Sequence, residues 1–265
     1  DVERSRGLGD VYKRQDIDKL IEGTNEILTA NRNSLQLFDM LHSMRQFDDL
    51  TYVHSVNVAL IASILGQWLK FSEKDIRILT ISGLLHDIGK IMIPNEILTK
   101  PGKLTVAEYN IMKQHVNFGY EKVKNQNIDI RIKEACLLHH EKCDGTGYPF
   151  GLKSDHIPAV AKIIAIADVY DAMTSARVYR GALCPFEVID TMYKDAFTKF
   201  EPEYILPFLK NVASSYINND VRLSDGRIGK VVLINENALS LPIVQCEDEF
   251  IDLSKTRGLT VSAIL

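Results

Sequence analysis

The sequence has 265 residues, which is enough for one large domain or for one domain with a small appendage. Its composition, 46% hydrophobic and 25% charged, is ordinary for a globular protein, and its formal net charge of −4 gives no reason to expect nucleic-acid or membrane binding over the whole surface. No apolar run approaches the ~18 residues needed to span a bilayer, and no secretory signal is visible.

The first 47 residues divide into two segments. Residues 1–15 are polar and interrupted by glycine, so we predict that they are disordered or not native to the fold. Over residues 16–47 apolar side chains recur at helical spacing, which predicts one or two helices leading into the core. The chain begins at Asp1 without a methionine, so we expect a fragment of a longer protein.

A buried helix is predicted from about residue 48 to residue 69. Asp48 and Asp49 are suited to cap its first turn. His54 shares one face of this helix with Val58 and other apolar residues, so we expect its imidazole to point inward.

More helices and a small β region are predicted after that helix. The helices cover residues 72–86, 105–115, 129–140, 158–175, 186–196 and 202–217, and the strands cover residues 228–234, 243–246, 250–253 and 259–265. Ser72 with Asp75 begins the first of these helices, and Thr105 with Glu108 can form a capping box for the second. Asp225-Gly226 predicts a hairpin between short β-type runs.

These patterns predict a mainly α fold, an all-helical bundle with a small C-terminal β module. We place the helical domain at residues 48–217 and the β module at residues 218–265. The four cysteines form no C-x-x-C pair, which favours reduced thiols in a cytoplasmic protein; they are Cys136, Cys143, Cys184 and Cys246.

Seven histidine and aspartate residues carry the strongest functional signal. They are spread over 115 residues near the ends of apolar segments: His54, His86, Asp87, His115, His139, His140 and Asp168. A single histidine on an apolar face is usually a hydrogen-bonded core residue, and a single aspartate is usually a cap or an ion-pair member. Because buried imidazoles and carboxylates without partners are costly, the joint pattern favours a shared divalent metal site.

Several strings in this sequence resemble the HD-GYP family, a branch of the HD-domain phosphohydrolases. They are L-L-H-D-I-G-K at 84–90, H-x-x-x-G at 115–119, H-H-E-x-x-D-G-x-G-Y-P at 139–149 and A-D-V-Y-D-A-M-T-S at 167–175. Their order and spacing agree over roughly residues 45–215. The resemblance implies an all-helical HD-domain bundle that hydrolyses the bacterial second messenger cyclic di-GMP to pGpG and, in some members, on to GMP.

The resemblance also implies two divalent ions, one held by His54, His86, Asp87 and Asp168 and the other by Asp87, His115, His139 and His140. Iron or manganese is expected, and zinc or cobalt also suits this nitrogen-rich set. A metal-bridging hydroxide is the expected nucleophile. Some family members hold a third ion through a glutamate four residues before the first histidine. Leu50 stands at that position, so we predict a binuclear centre.

Four further residues are expected to bind the substrate. Lys90 resembles the family lysine that contacts the scissile phosphate, and Arg177 and Arg180 match two basic positions that bind phosphates. Tyr148 is expected to order the site. The alternative for Lys90 is a solvated lysine, and the alternative for Arg177 and Arg180 is a surface charge pair. The alternative for the loop that carries Tyr148 is a structural turn. Three carboxylates are expected to orient the metal-binding histidines by hydrogen bonds: Glu141, Asp144 and Asp171.

Two other functions remain open at this point. One is a related phosphohydrolase for another cyclic dinucleotide or nucleotide, and the other is a catalytically silent signalling module that binds a nucleotide or a protein. The expected partners are cyclic di-GMP, an upstream sensory or receiver domain outside this chain, and signalling proteins at the G-Y-P loop. The resemblance also allows a homodimer. No nucleic acid, and no membrane within this chain, is expected.

Overall fold

A computed structural model of this protein describes residues 50–175 and 183–265, which fall into two compact units. The first unit ends at Asp171 and the second runs from Ala172 to Leu265. The predicted lead-in helices over residues 16–47 and the cap at Asp48 and Asp49 lie outside the described residues. The domain limits predicted from the sequence, 48–217 for the helical domain and 218–265 for the β module, stay predictions. No helix among the described residues is long and apolar enough to cross a membrane.

The first unit is built from helices. They are α1 (Leu50–Trp68), α2 (Glu73–Leu85), α3 (Asn95–Leu98), α4 (Val106–Met112), α5 (His115–Val123), α6 (Ile130–Leu138) and α7 (Ala159–Thr174), the last of which continues into the second unit. Two short 3-10 helices cover Ile88–Met92 and Ser154–His156.

Helix α1 is the centre of the first unit. Residues 53–66 are buried on every side, as expected of a helix that is apolar all round. Helix α2 crosses it where the two backbones touch, because a Cβ atom on Gly83 would lie 2.5 Å from the Cα atom of Ala59. This contact brings the C-terminal end of α2 close to the middle of α1.

The predicted N-terminal caps at Ser72 and Thr105 are confirmed. Ser72 Oγ accepts a hydrogen bond from the backbone N–H of Asp75 (3.2 Å), which caps α2. Thr105 and Glu108 form the reciprocal capping box of α4, with distances of 3.3 Å and 2.7 Å. Each cap satisfies backbone donors that have no partner inside the helix.

The predicted end of α4 was wrong. The pattern indicated a helix reaching His115, but α4 ends at Met112 and α5 begins at His115. The backbone N–H of Gln114 donates to the carbonyl of Ile111, three residues back, at 3.0 Å. Because this tighter bond replaces an α-helical one, the chain turns and His115 becomes the first residue of a new helix.

After the end of α7, the described residues of the second unit, 183–265, form two helices and a small sheet. Helices α8 (Pro185–Asp195) and α9 (Pro202–Ser214) precede strands β1 (Asp220–Leu223), β2 (Ile228–Leu233), β3 (Ile243–Cys246), β4 (Glu249–Asp252) and β5 (Val261–Ile264). All strand pairs are antiparallel, in the order β4-β3-β2-β1-β5. The predicted hairpin at Asp225-Gly226 joins β1 to β2, with Gly226 at a φ of +93°. The mainly α class with a small C-terminal β module is confirmed.

The 3-10 helix Ile88–Met92 packs directly on α5. A Cβ atom on Gly89 would lie 1.9 Å from the carbonyl oxygen of His115 and 2.4 Å from the backbone nitrogen of Gly119. A Cβ atom on Gly119 would instead find its nearest neighbour at 3.4 Å, which is ordinary contact. The close approach of the two backbones therefore requires glycine at position 89 but not at position 119.

We expect Gly89→Ala to destabilise the protein by about 3 kcal/mol or more, because no side-chain movement can relieve a clash with backbone atoms. Gly119→Ala is the matched control, and its free energy of unfolding should stay within about 1 kcal/mol of the wild type because alanine favours the helix. Urea unfolding of both variants measures the difference. Equal losses in the two would contradict a packing requirement specific to Gly89.

An ion-pair group ties together the N-terminal turns of α2 and α6. The guanidinium of Arg131 donates two bonds of 3.0 Å to Asp129, the N-cap residue of α6, and one of 2.7 Å to Asp75. The hydrogen bonds from Arg131 lower the pKa of Asp129 to about 2. Because this folded-state pKa is depressed, the stabilisation is present above about pH 4 and is lost as pH falls toward 2.

Asp129→Asn keeps the cap but removes the charge, so at pH 6 we expect its Tm to be about 1–3 °C below that of the wild type. The difference should shrink as pH falls from about 4 to 3, because the wild-type carboxylate then begins to lose its advantage. Thermal unfolding at several pH values measures it. In an Arg131→Met background the pH-dependent part should become much smaller, because only the backbone N–H bond from residue 131 to Asp129 remains. An undiminished pH dependence there would rule out the ion pair as its main source.

Candidate metal centre

The seven predicted ligands come together inside the first unit, and five of them are contributed by helix ends. His54 lies on α1 and Asp168 on α7, whereas the others stand where helices end or begin: His86 and Asp87 after α2, His115 at the start of α5, and His139 and His140 after α6. All are buried except His140, which is partly exposed. Helix packing thus converts residues far apart in sequence into one cluster.

Asp87 stands at the middle of this cluster. Its Oδ2 lies 3.5 Å from His54 Nε2 and 3.2 Å from His86 Nε2. Its Oδ1 lies 3.3 Å from His115 Nε2 and 3.9 Å from His139 Nε2. The two oxygens of one carboxylate therefore face two different pairs of imidazoles.

Backbone carbonyls fix the orientation of three of the imidazoles. The Nδ1 atoms of His86, His115 and His139 donate to carbonyl oxygens at 2.7, 2.8 and 2.9 Å, each three or four residues earlier in the chain. A carbonyl can only accept, so Nδ1 carries the proton and Nε2 keeps a lone pair. That is the form in which histidine binds a metal.

His54 is oriented by a carboxylate instead. Its Nδ1 lies 2.7 Å from Asp171 Oδ2, as expected for a supporting residue, and Asn57 donates to the other oxygen of Asp171 at 2.8 Å. His54 Nε2 lies 3.1 Å from Asp168 Oδ1. Sequence reasoning missed Asn57. Its signal in the sequence was an amide side chain three residues after His54, on the same face of a mainly apolar helix.

Burial keeps most of the imidazoles neutral. It lowers the pKa of His139 well below the ordinary value and that of His140 to about 3, and it also lowers the pKa of His115. For His54 burial acts in the same direction, but the carboxylates of Asp168 and Asp171 outweigh it and raise the pKa to about 9. Neutral imidazoles are the protonation state that metal binding requires.

The two central carboxyl groups are held ionised. Burial alone would raise the pKa of Asp87, but the positive charge of Lys90 and the neighbouring His86 hold it well below the usual range. For Asp168 the burial effect is likewise outweighed, here mainly by its interaction with His54. The cluster therefore combines negative oxygens with the neutral imidazoles of His115, His139 and His140.

Three buried atoms of this cluster have no hydrogen-bond partner among the described residues: His54 Nε2, His86 Nε2 and Asp87 Oδ1. An unpartnered buried polar atom costs roughly 1–3 kcal/mol, so their concentration at one place calls for a shared ligand. Two overlapping groups can each hold a cation, with Asp87 in both; one also has His54 and His86, and the other has His115, His139 and His140. The donor set fits a divalent metal.

The loop after α6 lies against His140. The backbone N–H of Tyr148 donates to the His140 carbonyl at 3.2 Å, and the two rings stack with centres 4.7 Å apart and an interplanar angle of 27°. The tight turn requires Gly147, since a Cβ atom there would lie 2.5 Å from the His140 carbonyl oxygen. Tyr148 thus contacts the cluster through His140, and the expectation that it orders the site stays a prediction.

Glu141 has a different role from the one expected. Its buried carboxylate accepts three backbone N–H bonds, from Phe150 and Gly151 to Oε1 at 2.7 and 3.1 Å and from Leu152 to Oε2 at 2.9 Å. Glu141 therefore stabilises the loop, whereas we had expected it to orient a histidine ring. Asp144 Oδ1 accepts from the N–H and the hydroxyl of Thr146 within the same loop.

Of the three predicted phosphate-binding residues, the structure describes Lys90. Lys90 lies in the 3-10 helix after Asp87, and its Nζ donates to Asp87 Oδ2. Its side chain is 21% exposed, so Lys90 lies between the buried ligand cluster and the solvent. Arg177 and Arg180 lie outside the described residues.

Comparison with known proteins places this arrangement in a family. A sequence model described as "HD domain" matches residues 20–204. The chain is 36% identical over 203 residues to the Pseudomonas aeruginosa protein named cyclic di-GMP phosphodiesterase PA4108, covering 76% of this chain and 49% of that protein. It is 36% identical over 197 residues to the Xanthomonas campestris cyclic di-GMP phosphodiesterase response regulator RpfG, covering 74% and 52%.

A solved structure supports the fold. Bd1817, an HDG"Y"P protein from Bdellovibrio bacteriovorus, superposes with a TM-score of 0.59 at 19% identity over 78% of this chain and 68% of that one. The chain spans about half the length of the two curated relatives described above. The family match covers most of the helical region and every predicted ligand. The chain belongs to the HD domain family.

Proposed function

We propose that this chain is the catalytic part of a metal-dependent phosphodiesterase that hydrolyses cyclic di-GMP to the linear dinucleotide pGpG. The observation that carries the proposal is the position of Asp87, whose two oxygens face separate pairs of imidazoles. A carboxylate in this position can join two cations, and paired metals are a common solution for phosphate-ester cleavage. The names of the two curated relatives described above, the Pseudomonas aeruginosa and Xanthomonas campestris proteins, support cyclic di-GMP as the substrate.

Two divalent ions would be held by the two overlapping groups around Asp87, with Asp168 completing the group of His54 and His86. Five imidazoles against two carboxylates favour iron or manganese, and zinc or cobalt is compatible with the same donors. When bound, the ions supply Lewis-acid stabilisation of phosphoryl charge and activation of water. The absence of a third ion, inferred from Leu50, stays a prediction.

Lys90 is the residue best placed to bind the scissile phosphate. Its ammonium already reaches the Asp87 carboxylate, and its side chain is partly exposed to solvent. A phosphate oxygen beside the cluster can accept a charge-assisted hydrogen bond from it, and that bond strengthens as negative charge develops on the oxygen. Arg177 and Arg180 are proposed from the sequence to hold the remaining phosphate charge.

Tyr148 shapes the site as a neutral group. Burial raises the pKa of its phenol well above the ordinary value, so the hydroxyl remains a hydrogen-bond donor at physiological pH. Its ring covers one side of His140 and thereby limits the positions that this imidazole can take. We propose that it orders His140 and closes one wall of the substrate site.

The cellular setting follows from the proposed substrate. Cyclic di-GMP is a second messenger inside bacteria, and the four cysteines are free thiols, so we propose that the protein acts in the cytoplasm. A homodimer, an upstream sensory or receiver domain and a protein partner at the G-Y-P loop stay predictions.

His86→Ala and Asp87→Ala should each abolish hydrolysis of cyclic di-GMP by protein loaded anaerobically with iron or manganese. We expect losses beyond the roughly 100-fold typical of removing an outer partner of a ligand, because a direct ligand is removed. Product chromatography for pGpG and metal analysis by mass spectrometry measure the effect. His156→Ala, at an exposed histidine outside the cluster, is the control. Full activity of both ligand variants with ample metal would disprove the proposal.

Asp171→Asn should weaken metal binding by about 10–100-fold without unfolding the protein, since a neutral amide holds His54 Nδ1 less strongly than a carboxylate does. Competition against a coloured chelator measures the affinity, and circular dichroism checks the fold. Asp155→Asn, at an exposed aspartate, provides the comparison. Unchanged affinity in Asp171→Asn would show that the His54 contact does not support metal binding.

A further inference from the structure

A lysine and two tyrosines form a cluster at the edge of the metal centre. Lys113 Nζ lies 5.3 Å from the centre of the Tyr109 ring and 5.9 Å from the centre of the Tyr148 ring. Tyr109 and Lys113 are four residues apart at the end of α4, which brings them to the same face. Tyr148 in turn stacks on His140. We call Tyr109, Lys113 and Tyr148 the rim cluster.

The ammonium of Lys113 has a different environment from the neighbouring lysines. Lys90 is paired with Asp87, and Lys100 is paired with Glu108. Across residues 50–175 and 183–265, no carboxylate lies within ion-pair distance of Lys113, and its contacts are the two aromatic rings. Cation–π attraction positions the group but uses none of its N–H donors on an acceptor atom. Those donors are available to a ligand.

Tyr109 offers an aromatic surface next to this cation. Its side chain is 49% exposed, although it lies beside the buried centre. Nucleobases stack on aromatic side chains of this kind whatever their identity, because every base has a π-face. Stacking on Tyr109 would therefore hold a base at the rim without selecting which base it is.

The chemistry of the ammonium can make that selection. Guanine presents two neighbouring acceptors, O6 and N7, whereas adenine presents N7 beside an amino donor. A lysine ammonium donates and cannot accept. It therefore suits the guanine edge and meets an unfavourable donor on the adenine edge.

We infer that Lys113, held between Tyr109 and Tyr148, recognises a guanine base of the substrate and gives the enzyme its preference for guanine over adenine cyclic dinucleotides. The inference rests on the proposed function and adds the residue that selects the base. The positions agree with it, since the Tyr148 ring contacts Lys113 and also stacks on the predicted ligand His140, which leaves the ammonium one ring away from the metal site, as a ribose separates a base from its phosphate. Lys113 is a specificity residue and takes no part in the bond-breaking step.

The test compares cyclic di-GMP with cyclic di-AMP as substrates of metal-loaded wild type and Lys113→Met. For the variant we expect kcat/KM on cyclic di-GMP to fall about tenfold, almost entirely through KM, and kcat/KM on cyclic di-AMP to stay within about twofold. Calorimetry with hydrolysis-resistant phosphorothioate analogues should show the same loss of discrimination in binding. Lys113→Arg should keep the guanine preference, because arginine also donates to O6 and N7.

Two controls separate base recognition from other effects. Lys122→Met removes an exposed charge from α5 and should leave the ratio between the two substrates unchanged. Tyr109→Leu should raise KM for both dinucleotides, and Tyr109→Phe should restore it. A Lys113→Met variant that still prefers cyclic di-GMP as strongly as the wild type would overturn this inference alone. A metal-loaded wild type that cleaves neither substrate would overturn the proposed function and this inference with it.

Discussion

The Asp87 carboxylate, with each oxygen facing a pair of imidazole nitrogens, is the contact around which the first unit is arranged. A buried ionised carboxylate is tolerated only when its surroundings compensate for the lost hydration. Lys90 and the surrounding ligands supply part of that compensation. The crossing of α1 and α2 at Gly83 and the seating of Gly89 on α5 fix the backbone on both sides of Asp87. Packing and electrostatics therefore constrain the same few residues.

The ligands are oriented by local hydrogen bonds and positioned by tertiary packing. His86 and His139 each donate to a carbonyl of the helix that precedes them, so each ring is aimed by its own backbone. His115 also donates to a backbone carbonyl, because the turn between α4 and α5 leaves the carbonyl of Met112 within hydrogen-bond distance. A small movement of one helix would carry its ligand as a rigid body and separate it from Asp87.

The sequence was sufficient to name the seven residues that the fold brings together and to predict most helix limits. Histidine and aspartate that recur at the ends of apolar segments are costly to bury unless they share a ligand, and the caps at Ser72 and Thr105 depend only on neighbouring residues. The turn before His115 was not predictable from spacing, because the apolar pattern runs through it. The roles of Glu141 and Asn57 could not be predicted either, because they depend on tertiary contacts. The fold brings loop backbone N–H groups to Glu141 and the carboxylate of Asp171 to Asn57.

The three backbone bonds to Glu141 also bear on the thermodynamics of ligand binding. A loop rich in glycine would ordinarily lose considerable conformational freedom when a ligand orders it, and that loss opposes association. Here one buried carboxylate satisfies three consecutive amides of the loop before any ligand arrives, so the Tyr148 wall is preorganised. For the proposed nucleotide substrate, binding energy can then go into affinity instead of into ordering this loop.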